Sequence, residues 1–383
     1  MKKNILAVLT IVVILGSVGL NFGYINSSNG SQVILLNHLS SKIYPNFKES
    51  SSDAPIFVDG NDDLTQFPGN GTEGNPYVIQ NYVIHSMSGG PAIEIRNTDA
   101  FLIIKNCTVS GSITHMQGGI VLYSCKNVKI TECTAKNNSV GIKLQYSHNN
   151  IVSHNNVSYN HWMGIYLAGS DNNIISENFG FKSGIFITIH WWSQKNEISG
   201  NNATDFGVGI QVAYSNNNTV LNNMVTNSPD RVGIAVAHSP SNIISGNDVS
   251  YTNIGIEVIF SDNNMFSGNT ATHTINGILL IGSNNSIISG NYLIENEAGG
   301  IGLSNSINNN IFENDLLYNY QAGIGLFTSY NNTISKNNIS LNLIYGGILL
   351  QNADFNIIQN NFITENKEYG IWLQSSRYNK ILV

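Results

Sequence analysis

The chain is poor in charge. Asp, Glu, Lys and Arg make up 11% of its 383 residues, against ~25% in an ordinary soluble domain. A surface with so few ions must draw its polarity from amides and hydroxyls. Cations are scarcest: 17 Lys and Arg face 24 Asp and Glu, and the net charge is −7. No basic run exists beyond Lys2-Lys3. That excludes a nucleic-acid partner, which needs a phosphate-neutralising face. Three cysteines (Cys107, Cys125 and Cys133) are too few for a disulfide framework. Long apolar runs are absent after Leu20. The one such run, Ile5 to Leu20, would reach only ~24 Å as a helix, short of the ~30 Å hydrocarbon core. Behind its basic start it reads as a signal peptide or N-terminal anchor over residues 1–25. Membrane contact is expected through that segment alone, with the protein secreted or held on the outer face of the membrane. Residues 26–54 read as a polar linker, and residues 55–383 as the folded domain, with an N-terminal cap at about 55–90.

What is abundant is asparagine, 60 residues, and glycine, 36. Both recur with a period. The word Gly-Ile-x-Leu appears at Gly141, Gly164, Gly277, Gly347 and Gly370. A mostly serine position follows six residues after each such glycine: Cys125, Ser147, Ser170, Ser193, Ser215, Ser239 and onward to Ser376. Counting from Thr98, this gives thirteen units of about 23 residues. Each unit carries three apolar ladders. One includes Ile142, Ile165, Ile210, Ile234 and Ile256, with a partner two residues on. The second starts at Ile103, Ile130 and Val152, and the third runs through Val157, Val225 and Val249. A spacing of two places residues on one face of a strand. Three short strands per unit, each with an inward face, predict an all-β chain: a single-stranded parallel β-helix (solenoid) of about 13 coils. At ~4.8 Å per coil its length would be ~60 Å. Unpaired strands at its ends would permit end-to-end self-association.

Asparagine recurs at two turn positions. One holds Asn150, Asn173 and Asn196; the other holds Asn106, Asn155, Asn178, Asn201, Asn223, Asn247 and Asn269. Two roles are expected of these residues. They supply the left-handed conformation of tight turns, and their stacked amides hydrogen-bond from coil to coil. Glycine is expected where a corner needs positive φ. Cys107 and Cys133 read as adjacent turn positions one residue out of register, so a disulfide is not favoured.

Units of Gly-Ile-x-Leu-x-x-Ser-x-Asn-Asn-x-Ile-x-x-Asn resemble the repeats of the NosD-like group within the pectin-lyase-like superfamily. The opening Gly71-Thr72-Glu73-Gly74-Asn75-Pro76-Tyr77-Val78-Ile79 resembles the start of such domains. The resemblance covers residues 55–383. It implies a right-handed coil, an extracytoplasmic setting, and carbohydrate-binding, sugar-hydrolysing or copper-maturation roles.

No catalytic residue emerges. A glycosidase needs two carboxylates ~5–9.5 Å apart. The outward acids of the first strand, Glu94 and Glu257, lie seven coils or ~34 Å apart. Asn97-Thr98-Asp99 matches one word of pectin hydrolases, but their remaining words are missing. Aromatics, by contrast, gather where the repeat is irregular. Trp191 and Trp192 follow a coil whose glycine stands three residues early, at Gly184; Trp162, Tyr146, Tyr166 and Tyr214 fall in neighbouring coils. Sugar rings stack their C–H faces on such side chains, so the leading expectation is a non-catalytic module for a polysaccharide or surface glycan, needing no cofactor. An alternative uses the pairs His85/Met87 and His115/Met116, with His161 and Met163 further on. Thioether and imidazole suit Cu(I), and the first two pairs are expected to share a metal. The second alternative is a polysaccharide lyase or hydrolase.

Overall fold

The structure, a computed structural model, describes residues 52–382. The signal-or-anchor segment, and the linker up to residue 51, lie outside the described residues. From Ile56 onward the chain winds in short strands, and each strand pairs in parallel with its counterpart one coil away. The first wall holds strands such as Val140–Gln145, Met163–Ala168, Ile185–His190 and Val208–Ala213. The second is a sheet of 14 strands that includes Ile151–Ser153, Ile174–Ser176 and Glu197–Ser199. The third includes Phe179–Phe181, Asn202–Thr204 and Thr270–Thr272. Two long strands, Met224–Ala237 and Asp248–Ile259, run from the third wall into the first and join both into one sheet. Residues 56–85 already form a coil, because Ile56 pairs with Ile93, Tyr77 with Leu102 and Val83 with Thr108.

The apolar ladders point inward, as their spacing predicts. Ile142, Leu144, Val152 and Val157 are fully buried, and the same positions are buried in coil after coil. Each such side chain contributes roughly 1.5–3 kcal/mol. One register differs from the sequence reading. Ile104, not Ile103, is the buried residue that pairs with Ile130. The ladder position after it is therefore Cys107, not Asn106. Cys107 and Cys133 thus stand in the same register, both buried and both free thiols.

The second asparagine ladder stands as expected from Asn155 to Asn269. The N–H and Nδ2 of Asn155 both donate to Asn178 Oδ1, at 3.0 and 3.0 Å. The same pair of bonds links Asn178 to Asn201, Asn201 to Asn223, Asn223 to Asn247 and Asn247 to Asn269. Each Nδ2 also donates to a carbonyl of the preceding coil, as Asn178 does to Val152 O. The ladder thus satisfies backbone groups that a buried corner would otherwise orphan. The left-handed conformation falls elsewhere. It belongs to the residue before each amide, such as Asn149 (φ 56), His154 (φ 58) and Asn172 (φ 56). One residue bends the chain and the next bonds it. A third ladder, unforeseen in the sequence, closes the remaining corner through Asn138, Asn160, Asn296, Asn319 and Asn342.

The glycine that opens each unit likewise has a different cause. It does not adopt positive φ; a side chain there has no room. A Cβ on Gly323 would meet Ile339 Cγ2 at 2.5 Å and the Gly347 carbonyl oxygen at 2.9 Å. In the irregular coil the equivalent position is Phe186, since Met163 pairs with Ile185 and Ile165 with Ile187. Its ring fits because the third wall carries Gly180 opposite, where a Cβ would approach Phe186 to 2.5 Å. The irregularity is an exchange of volume across the core.

Candidate functional site

The outward residue of Gly-Ile-x-Leu forms a row along the first wall. Lys143 pairs with Tyr166, Tyr166 with Thr188, Thr188 with Gln211, Gln211 with Ala235, and Ala235 with Glu257. These positions face away from the core, yet they are covered. Tyr166 is 6% exposed, Thr188 2% and Gln211 5%. The row is therefore a covered strip, the floor between two borders, rather than a bare flank.

Turn residues rise along one border. Directly after the strands of the first wall come Tyr146, Trp191, Tyr214, His238 and Phe260, each in a left-handed turn that throws its side chain outward. Tyr146 meets Tyr123 edge-on at 5.7 Å between ring centroids. Tyr214 lies 4.9 Å from His238 with the planes 9° apart, and His238 stacks on Phe260 at 5.5 Å. His190 sits between this border and the floor, 5.8 Å from Trp191, 5.7 Å from Tyr214 and 6.5 Å from Tyr166. Gly169 and Gly282 leave space on this border. A Cβ there would touch the rings of Tyr146 and Phe260, respectively. On the other border Trp162 is half-exposed, with His115 and His161 edge-on to it.

Of the aromatics expected to stack on a ligand, Tyr146, Trp191 and Tyr214 line one border, Trp162 stands on the other, and Trp192 projects into solvent beside Trp191. Tyr166 differs from the rest. Its ring is buried in an apolar cluster with Val140, Ala168, Met116 and Met163, so it shapes the floor. The sequence reading missed His190, His238, Phe260, Thr188 and Gln211. The signal was present: the residue following each first-wall strand and the x of Gly-Ile-x-Leu repeat at fixed offsets.

The electrostatics of the floor follow from its burial. Desolvation lowers the Lys143 and His190 pKa values, raises that of Glu257, and pushes the Tyr166 phenol up to about 12. Lys143 Nζ donates to Met116 O. Among the described residues Thr188 Oγ1 has no hydrogen-bond partner. A buried hydroxyl left unpaired costs about 1–3 kcal/mol.

The turn carboxylates have structural partners. Asp171, Asp262 and Asp354 accept the N–H groups of Gln194, Asn284 and Arg377 in the next coil. Asn97 and Thr98 bond to Asp59 and Asn61 of the first coil, and Asp99 accepts from Asn61. Glu94 pairs with Arg96, whose guanidinium stands over Phe57 and Tyr123. Among the metal candidates, His85 Nδ1 is 3.1 Å from Ser110 Oγ, and Met87 is 89% exposed. His115 and His161 are both edge-on to Trp162, and Met116 and Met163 both pack against the Val140, Tyr166 and Ala168 cluster. Among the described residues no three His, Cys, Asp or Glu side chains converge as a metal group.

A family model described as periplasmic copper-binding protein (NosD) matches residues 50–230, 193–345 and 323–382. No curated protein sequence matches the chain significantly. Among solved structures, a double mutant of the periplasmic alginate epimerase AlgG aligns at 14% identity with TM-score 0.51, covering 86% of this chain and 84% of its own. The A-module of the Azotobacter vinelandii mannuronan C-5 epimerase AlgE6 aligns at 12% identity with TM-score 0.50, over 84% of this chain and 99% of its own. The receptor-binding domain of the Siphovirus 9NA tailspike aligns at 9% identity with TM-score 0.57, over 80% and 72%. The chain shares with them the pectin-lyase-like right-handed β-helix fold.

Proposed function

The chain belongs to the NosD family, and from that premise and the aromatic border on its first wall we propose that it is an extracytoplasmic module binding a polysaccharide or cell-surface glycan. The observation that carries this reading is the border of outward, exposed aromatics, Tyr146, Trp191, Tyr214 and Phe260, beside the covered row of Tyr166, Thr188 and Gln211. A glycan supplies what such a border needs: C–H faces for Trp191 and Tyr214. Stacked coils repeat every ~4.8 Å, so the border offers an extended chain the same contact several times over. The periplasmic description of the family supports the extracytoplasmic setting. Binding without cleavage is supported by the separation of Glu94 from Glu257 and by the hydrogen bonds that hold Asp99, Asp171, Asp262 and Asp354 in the turns.

A glycan array followed by calorimetry on the purified chain tests the reading. Trp191→Ala removes one exposed stacking ring, and the expected loss of affinity is about three- to tenfold. A Trp191→Ala/Trp192→Ala double variant should lose more. A double variant that binds every glycan as the wild type does would overturn the proposal. Release of shortened oligosaccharides would replace binding with cleavage.

A further inference from the structure

We propose that Cys107 and Cys133 form a disulfide that takes the place of an amide rung and locks the second coil to the third. The inference takes from the proposed function only its extracytoplasmic setting, where disulfides form and persist. It starts from the place where a ladder stops. The second asparagine ladder runs unbroken from Asn155 to Asn361. Its first rung accepts the Cys133 N–H, which donates to Asn155 Oδ1 at 2.9 Å. Towards the N-terminus the same position holds Cys133, then Cys107, then Tyr82. None of these has an amide to offer its neighbour. Two thiols therefore stand where the coil-to-coil bonds of the ladder give out.

Register brings the two side chains together. Lys105 pairs with Thr131 just before them and Thr108 with Thr134 just after, and the Thr134 N–H donates to Cys107 O at 2.8 Å. Neighbouring strands lie ~4.8 Å apart, inside the range of about 4.4–6.8 Å between Cα atoms that a disulfide spans. Both residues are buried in the main core. Hydrogen bonding between the two thiols lowers the pKa of Cys107 and raises that of Cys133, so Cys107 is the first to become a thiolate. Cys125 has no such partner. Its neighbours along the serine ladder are Thr98 and Ser147, and burial pushes its thiol up to about 11. The oxidant is a disulfide, either a small molecule or a protein. The Cys107 thiolate attacks one sulfur of it and expels the other as a thiolate. Cys133 then loses its proton to solvent and attacks the Cys107 sulfur of the mixed disulfide, releasing the second thiolate. Two electrons leave the chain and reduce one disulfide to two thiols. Exchange takes place as the coils wind, before the pair is covered.

The test produces the full chain in an oxidising compartment, alkylates it in denaturant and maps its cysteines by mass spectrometry. One free thiol, Cys125, and one peptide joining Cys107 to Cys133 are expected. Cys125→Ser should keep the joined peptide and have no free thiol. Cys133→Asn, which extends the amide ladder by one rung, should fold and leave Cys107 and Cys125 both free. Hydrogen exchange compares the oxidised chain with the same chain after reduction. Closing a loop one full coil long removes freedom from the opened chain, so amides of Leu102–Lys105 should exchange at least about tenfold more slowly when the link is present. Three free thiols, a link that involves Cys125, exchange that reduction does not change, or a linked chain without strand dichroism would each overturn the proposal. No glycan enters these measurements, so their failure leaves the binding reading standing.

Discussion

Removing one rung from the middle of an asparagine ladder should cost several times what removing a rung at its end costs. Asn223 is 1% exposed. Its Oδ1 accepts the N–H of Asn201 at 3.0 Å and the Nδ2 of Asn201 at 2.9 Å, and its own Nδ2 donates to Ile198 O at 2.9 Å. Asn223→Ala leaves the Asn201 N–H and the Ile198 carbonyl without these partners in a dry corner, while the Asn201 Nδ2 keeps its bonds to Ile175 O and Ser199 O. At about 1–3 kcal/mol for each orphaned group, less some relaxation, the expected loss is about 3–5 kcal/mol. Asn223→Ser should cost about half of that by the same rule, because a hydroxyl can still take the N–H, as Ser286 does for Asn264. Asn361→Ala is the control. It removes the acceptor for Asn337 in the same ladder, but at a half-buried rung where water replaces the amide. Urea unfolding followed by strand dichroism gives the stabilities. Hydrogen exchange at the Asn201 amide reports the rung directly, which matters in a repeat array where unfolding need not be all-or-none. A cost below about 1 kcal/mol for Asn223→Ala, with protection at Asn201 intact, would refute the claim that these amides hold the corners.

Two further outcomes follow from the coil. Gly323→Ala should destabilise the fold by about 1–3 kcal/mol through overpacking against Ile339, whereas Gly290→Asn should be near neutral, because Gly290 has φ +62 and no atom closer than 3.9 Å to an added Cβ; thermal melts of both variants decide. Glu257 lies between Ala235 and Leu279 on the first wall, and burial raises its pKa. The folded state thus holds that proton more tightly than the unfolded chain does. The stabilising contribution is present below the unfolded carboxylate pKa and is lost as pH rises through the raised folded value. Glu257→Gln should therefore be more stable than the wild type at neutral pH, with the difference closing towards about pH 4; parallel melts across pH would show a constant gap if this is wrong.

Legibility in the sequence tracked the kind of force involved. The inward ladders could be read because burial repeats with the strand period, and every coil repeats the same demand. The conformational roles were harder to assign. Asparagine suits both a left-handed turn and a buried amide rung, and Asn-Asn pairs such as Asn149-Asn150 and Asn222-Asn223 carry both properties. Only the traced backbone shows that Asn149 bends while Asn150 bonds. The opening glycine is similar, since residue type cannot separate a need for positive φ from a lack of room beneath the next coil's carbonyl. Cys107 was misplaced because a single extra residue between Thr98 and Leu102 shifts the second and third walls of that coil against the first.

The same division runs through the candidate sites. Tyr146, Trp191 and Tyr214 were visible as aromatics near an irregular coil. That His190, His238 and Phe260 continue their border follows only from stacking the coils in register. That His115 and His161 meet one indole, and Met116 and Met163 one apolar cluster, likewise follows only from the stacked coils.

By itself the sequence determined the coil: its period, its three inward faces and its amide-lined corners. Each of these is a local pattern, and parallel stacking simply copies it. The tertiary structure decided which side chains meet: Phe186 with Gly180 across the core, and His115 and His161 with one indole. Those meetings depend on loop path and side-chain volume, which periodicity does not encode.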